Sequence, residues 1–299
     1  MSKIMQCVPN FSEGRRPEVV EEIVDAFRKE QGVKLLDYSS DEDHNRSVVT
    51  LLGEPEALKE SVLEAVKRAR DLINMEEHEG GHPRLGATDV VPFIPISGVT
   101  MEDCQEMAAE VAEAINERLE IPTYLYGEAA RESGRENISQ VRRGEYEGLK
   151  EAIKKSDRHP DFGEPALHPT AGATMVGARM PLVAFNVNLD CSRMEVADRI
   201  ARNIRTSGGG LVNIKAMGVN LEERNIVQIS MNVENYLETP LHRVFELIRV
   251  EAARFGVSIL ESEIVGLVPM EALVLAAGHY LQLGQLDDKQ ILENNLLAE

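Results

Sequence analysis

No stretch of this chain approaches the roughly 18 consecutive apolar residues that a membrane-crossing helix requires, which excludes a helical span. The start, Met1-Ser2-Lys3-Ile4-Met5, has neither the apolar core nor the cleavage site of a signal peptide and points to the cytoplasm. Cysteine is scarce. Cys7, Cys104 and Cys191 are odd in number, far apart and set among apolar neighbours, so they read as reduced core residues and not as a disulfide framework. Positive charge is short as well: 32 Lys and Arg stand against 51 Asp and Glu, a formal net charge of −19 with no basic cluster, which excludes nucleic acid as a partner. An anionic small ligand would need a local group of arginines or lysines, because the general field would not steer it in.

Several catalytic signatures are missing too. There is no Gly-x-Ser-x-Gly elbow, no phosphate loop, and no cysteine with an obvious histidine partner. Gly208-Gly209-Gly210 lacks the spacing of a dinucleotide-binding turn. The acidic turn Asp41-Glu42-Asp43-His44-Asn45 lacks the glycine and distal glutamate of a calcium loop and reads as solvated.

What is present is an ordinary globular composition, 43% apolar over 299 residues, a length that suits two domains. In the N-terminal half the patterning predicts strands near 4–8, 33–38, 46–53 and 90–96, with helices over 17–29 and 55–73; Leu58, Val62, Val66 and Ala69 form the buried stripe of the second. A further helix over 101–119, capped by Thr100, and a strand at 122–126 follow. In the C-terminal half, strands are expected at 181–189, 210–218, 225–233 and 257–264. One helix there starts at a Ser192–Glu195 capping box and another at Thr239-Pro240. Both halves read β-α-β-β-α-β, an α/β (α+β) fold of two tandem ferredoxin-like subdomains, 1–178 and 179–299. Residues 127–180 show little periodicity, and 161–172 reads as a loop crossing from one unit to the other.

Among seven histidines one is poised for chemistry. His78-Glu79-Gly80-Gly81-His82 matches the His-Glu-x-x-His zinc pattern, which needs both histidines on one face of a continuous helix. Two internal glycines, each worth roughly 1 kcal/mol against a helix, and Pro83 immediately after make the segment a loop instead. His82 is thereby held on a constrained loop just before an apolar strand, where catalytic groups tend to sit, with His78 as a supporting neighbour. His159, His168, His242 and His279 stand isolated and read as surface or structural residues.

Cys7-Val-Pro-Asn-Phe-Ser-Glu-Gly14, His82-Pro-Arg-Leu-Gly-Ala-Thr-Asp89 with Val91-Pro-Phe-Ile-Pro95, Tyr124-Leu-Tyr-Gly-Glu-Ala-Ala130, Pro160-Asp-Phe-Gly163, Gly172-Ala-Thr174, Gly177-Ala-Arg179 and Val265-Gly-Leu-Val-Pro269 together resemble the glutamate formimidoyltransferase family over nearly the whole chain. The resemblance implies transfer of a formimidoyl group between N-formimidoyl-L-glutamate and tetrahydrofolate in histidine breakdown, by a homodimer of two-subdomain chains with a ligand tunnel between the subdomains. Tetrahydrofolate would be a co-substrate, with no metal. Animal members are fused to a cyclodeaminase, so this chain is expected to be the stand-alone form, with a separate cyclodeaminase for the next step. Two alternatives share the fold: a formyltransferase acting on 5-formyltetrahydrofolate and N-formylglutamate, and a folate-binding protein without turnover.

The family's catalytic histidine matches His82, and animal members carry lysine where this chain has Glu79. An unperturbed histidine, with a pKa near 6.5, can take a proton from the attacking nitrogen and return one to the departing nitrogen. Asp37, in a family-like Leu-Leu-Asp pattern, is expected to orient it or hold the amine, with Asp89 as the alternative orienter. The family's folate-binding stretch falls on Gly163, Glu164, Pro165, Ala166, Leu167, His168, Pro169, Thr170, Ala171 and Gly172, of which Gly163, Pro169 and Gly172 match the family pattern. Both substrates carry carboxylates, which bidentate arginine suits, and Arg46, Arg84 and Arg179 lie in matching motifs.

Overall fold

Alternation of side chains along the strands decides which residues of each sheet meet its helices. The structure, a computed structural model, describes residues 3–284 and 286–292, which divide after Arg179 into two compact units. The first unit runs Ile4–Cys7 (β1), Asn10–Phe11 (β2), Pro17–Arg28 (α1), Val33–Asp41 (β3), Arg46–Gly53 (β4), Pro55–Leu72 (α2), Thr88–Ser97 (β5), Met101–Leu119 (α3), Thr123–Gly127 (β6), Ile138–Val141 (α4), Glu145–Ala152 (α5) and Thr174–Ala178 (β7). β3 pairs with β4, β4 with β1 and β1 with β5, all antiparallel, which is the expected β-α-β-β-α-β kernel. Beyond β5 the sheet continues with β7 and then β6, both parallel.

Val49 and Leu51 of β4 are buried with Val20, Ile23 and Phe27 of α1 and the anticipated stripe Leu58, Val62, Val66 and Ala69 of α2. Arg46, Val48, Thr50 and Leu52 therefore project from the opposite face. α3 begins with a complete capping box, Asp103 N–H donating to Thr100 Oγ1 and Thr100 N–H to Asp103 Oδ2. β5 is covered on both sides: Val91 and Phe93 join the helix-side core, while Val90 packs with Tyr124, Tyr126, Met175, Val141 and Leu149 under α4 and α5.

The structure corrects the reading of residues 127–180. β7 lies inside the sheet with all five residues buried, and α5 covers the second face. Thr-Met-Val-Gly-Ala is too short and too buried to show alternation, so no period marked it. Residues 161–172 do not cross between units: Thr123 N–H donates to Phe162 O at one end and Ala87 N–H to Ala171 O at the other, both within the first unit.

The second unit runs Val183–Leu189 (β8), Met194–Ile204 (α6), Ile214–Leu221 (β9), Ile226–Val233 (β10), Leu241–Arg254 (α7), Ile259–Val265 (β11) and Met270–Tyr280 (α8). Its sheet order, β11-β8-β10-β9, is antiparallel throughout. Both expected caps fail here. α6 begins after Arg193 without a side-chain cap, and Thr239 Oγ1 donates to Val212 O instead of capping α7. β9 begins four residues later than residue 210, because Gly210 and Leu211 donate to Arg205 O and Ile204 O and close the end of α6. His242 of α7 and His279 of α8 are not isolated either: their rings stack at 4.2 Å. Cys7 and Cys104 are buried, Cys191 is half-buried, and all three are unbonded.

Candidate active site

The loop carrying His82 is fixed before any ligand arrives. Gly81 N–H donates to Asp43 O at 3.1 Å, and Asn45 Nδ2 donates to Glu79 O at 2.9 Å. A Cβ on Gly80 would come within 2.3 Å of His44 O, so only glycine allows the loop to lie this close to the β3–β4 turn. Asn45 sits at φ 48°, a left-handed position that asparagine tolerates, and its Oδ1 accepts Gly14 N–H at 3.0 Å. The turn read as solvated thus has exposed acidic side chains and a backbone locked to two other segments, at Gly14 and at residues 79–81. Further on, Ser12 Oγ donates to Gly86 O at 2.7 Å, Ala87 N–H donates to Ala171 O, and Ala173 N–H donates to Leu85 O.

His82 Nδ1 lies 2.7 Å from the Pro83 carbonyl oxygen. A carbonyl only accepts, so Nδ1 carries the hydrogen and Nε2 keeps its lone pair. Burial and then the guanidiniums of Arg46 and Arg142 push the His82 pKa down to about 4. This corrects the expectation of an unperturbed value: the ring is neutral at pH 7. The His44 ring faces it edge-on at 6.2 Å, with His44 Nδ1 2.9 Å from Asp41 Oδ2. His78 cannot complete a two-histidine metal site with it. Its Nδ1 accepts from Arg84 Nε at 3.1 Å, which leaves Nε2–H to donate to Asn45 O at 3.1 Å, so both nitrogens are occupied.

Asp89 organises the remaining charge. Fully buried, it accepts Leu85 N–H on Oδ1 at 2.9 Å, and on Oδ2 it takes Arg46 Nη1 at 2.7 Å and Arg142 Nη2 at 2.5 Å. Burial works to raise its pKa, but the two arginines outweigh that and hold it below the usual carboxylate range. Asp89 therefore orders the loop and the arginines and makes no bond to the His82 ring. Arg142, at the end of α4, was not singled out in the sequence; an Arg142-Arg143-Gly144 run in an aperiodic segment gives no sign of a partner 53 residues away.

The other expected residues fall in different places. Arg84 is buried with its donors occupied by Glu147, Glu145, His78 O and His78 Nδ1, so it pins the loop to α5. Asp37 is exposed on β3, paired with Thr50, on the same face as Arg46 but four residues further along, roughly 13 Å at strand rise. Among the described residues its carboxylate makes no hydrogen bond to His82. Arg179 follows β7, its N–H donating to Phe93 O, and its charge acts on Cys7 and Tyr126. In 163–172, Glu164, Ala166 and Pro169 are exposed, while His168 Nδ1 accepts the N–H of Thr170 and Ala171 at 3.3 and 3.0 Å. Ala171 and Gly172 are buried backbone anchors, Gly172 at φ 70° against Leu85 O.

A neutral imidazole with an open Nε2, beside two arginines sharing one carboxylate, can exchange a proton with a nitrogen while an anion is held next to it. Comparisons with known proteins give the family. Residues 4–179 match the formiminotransferase domain, N-terminal subdomain, and residues 184–297 match the formiminotransferase domain. Over 299 residues, all of both chains, the protein is 50% identical to a glutamate formimidoyltransferase of Streptococcus pyogenes serotype M1. It is 45% identical to that of Thermoplasma acidophilum over 98% of this chain and 97% of the relative. With the formimidoyltransferase-cyclodeaminase of Sus scrofa it shares 44% identity over 94% of this chain and 53% of that longer protein. Matching both subdomains in order, the chain belongs to the formiminotransferase family.

Proposed function

We propose that this protein transfers the formimidoyl group between N-formimidoyl-L-glutamate and tetrahydrofolate, with His82 moving the proton. The observation that carries the reading is the neutral His82 with Nε2 open, on a loop fixed next to the Arg46–Asp89–Arg142 cluster. The names of the full-length relatives support the substrates. In the direction that forms glutamate, the tetrahydrofolate nitrogen attacks the formimidoyl carbon, a tetrahedral intermediate forms, and His82 Nε2 accepts the proton that the attacking nitrogen sheds. The imidazolium, a strong acid in this surrounding, then gives that proton to the glutamate nitrogen as its bond to the carbon breaks. Proton and electron pairs balance with no further reactant.

Arg46 and Arg179 are carboxylate holders in this reading. Asp37 and the exposed Glu164, Ala166 and Pro169 contact parts of the substrates more distant from His82. Tetrahydrofolate as co-substrate, a homodimeric assembly and a cytoplasmic location belong to the same reading. A spectrophotometric assay with tetrahydrofolate and formimidoylglutamate, repeated with formylglutamate, tests it. Turnover with the formimidoyl donor is expected, and a fall of about 10²–10⁴ in His82→Ala with an unchanged unfolding midpoint. No turnover with either donor, or near-normal turnover in the variant, overturns it.

A further inference from the structure

Arg46 and Arg142 bring two positive charges to one carboxylate, Asp89, and all three side chains are at least 86% buried, being 10%, 14% and 0% exposed. One positive charge is left without a counter-charge in the cluster. Arg142 Nε is buried with no hydrogen-bond partner. Arg46 Nε donates to Asn10 Oδ1 and its Nη1 to Asp89, and among the described residues its Nη2 and Arg142 Nη1 find no acceptor. One buried, unpartnered Nε and two Nη groups without a protein acceptor together mark a place for an anion. The place adjoins His82, because Arg46 directly follows the turn bonded to residues 79–81 and Asp89 closes the His82 loop through Leu85.

We propose that Arg142, with Arg46, is the clamp for the α-carboxylate of the amino-acid substrate, an inference that rests on the formimidoyl-transfer reading. The chemistry of the substrates selects that carboxylate. In formimidoylglutamate the carbon that bears the reacting nitrogen also bears the α-carboxylate, so a nitrogen at His82 Nε2 places this group beside it. The γ-carboxylate is at the far end of the side chain, and the carboxylates of folate lie beyond an aromatic ring from the pteridine nitrogen. The γ-carboxylate reaches the same nitrogen only with the side chain folded back, and the folate carboxylates do not reach theirs, so the α-carboxylate is the group held there in every rotamer. The clamp also couples binding to chemistry. The charged groups around His82 are Arg46, Arg142 and Asp89, with the His44–Asp41 pair across from it; burial weakens His82 most as a base, and an anion on the arginines offsets the part that their charge adds.

Binding in the unmodified protein tests this without turnover. Glutamate is added while the His82 ring is titrated by NMR, and 4-aminobutyrate, the same chain without its α-carboxylate, serves as the comparison. Glutamate is expected to raise the His82 midpoint and 4-aminobutyrate to leave it; equal effects, or none from glutamate, overturn the clamp. In turnover, the α-amide of formimidoylglutamate should show a KM raised roughly 10- to 100-fold in the unmodified enzyme. Arg142→Gln should abolish that discrimination while the KM for tetrahydrofolate stays within a few-fold, and Arg142→Lys should restore part of it. If Arg142→Gln still discriminates against the amide, Arg142 is structural only. Should transfer itself be absent in the unmodified protein, the function fails while the glutamate titration still reads the clamp.

Discussion

A histidine whose Nδ1 donates to the carbonyl of the next residue has one nitrogen left to work with, and at His82 the surroundings set when that nitrogen takes a proton. In the ligand-free protein the His82 midpoint is expected near 4 and not near 6.5, read by the ring Cε1–H shift. Between those two values the unfolded chain binds more protons here than the folded one, so this residue makes stability rise with pH across that window and lose ground as pH falls through it. Urea unfolding at pH 4.5 and pH 7 should show a smaller difference in His82→Ala than in the parent. Asp89 is the other residue whose role is single and testable. Asp89→Asn leaves two buried guanidiniums without a counter-charge, and should cost about 3–5 kcal/mol by urea denaturation. A loss under about 1 kcal/mol would mean that the arginines find other partners.

At the scale of elements, the loop carrying His82 owes its shape to segments distant in sequence: residues 12–14, the β3–β4 turn, and 171–173. Gly172 tests this. It lies at φ 70°, and a Cβ there would meet Leu85 O at 2.4 Å, so Gly172→Ala must displace the loop that carries His82. Gly134, at φ 93°, has nothing within 4 Å of its would-be Cβ. Gly172→Ala is expected to lower both the unfolding midpoint and transfer, Gly134→Ala only the midpoint, by about 1 kcal/mol. Equal losses of activity would refute the coupling. In the first unit α1, α2 and α3 were legible because their stripes and the Thr100 cap are local, whereas α4 and α5 were not. β7 was not, since a five-residue strand buried on both faces has no period to read. The Ser192 capping box misled for the opposite reason: the motif was present, but α6 begins after Arg193.

For the molecule as a whole, the formal charge of −19 surrounds a cluster with one surplus positive charge and anionic proposed substrates. At about 0.01 M ionic strength the Debye length is about 30 Å and the repulsive field reaches the approaching substrate; at about 0.15 M it is about 8 Å. kcat/KM for formimidoylglutamate should therefore rise on adding salt over that range, and a fall would show that the local clamp governs encounter. Composition and period are sums over neighbouring residues, so the sequence by itself determined the two α/β units, the absence of a membrane-crossing helix and the loop nature of 78–82, where glycines and Pro83 forbid a helix. With the motif resemblance, it also determined the family and put His82 forward as the proposed proton carrier. Only the tertiary structure decided what surrounds that histidine. Asp89 meets Arg46 and Arg142 across 43 and 53 residues, and Arg84 is drawn away by Glu147 across 63. Such pairings follow from where strands and helices bring chain ends together, and a linear pattern has no term for that distance.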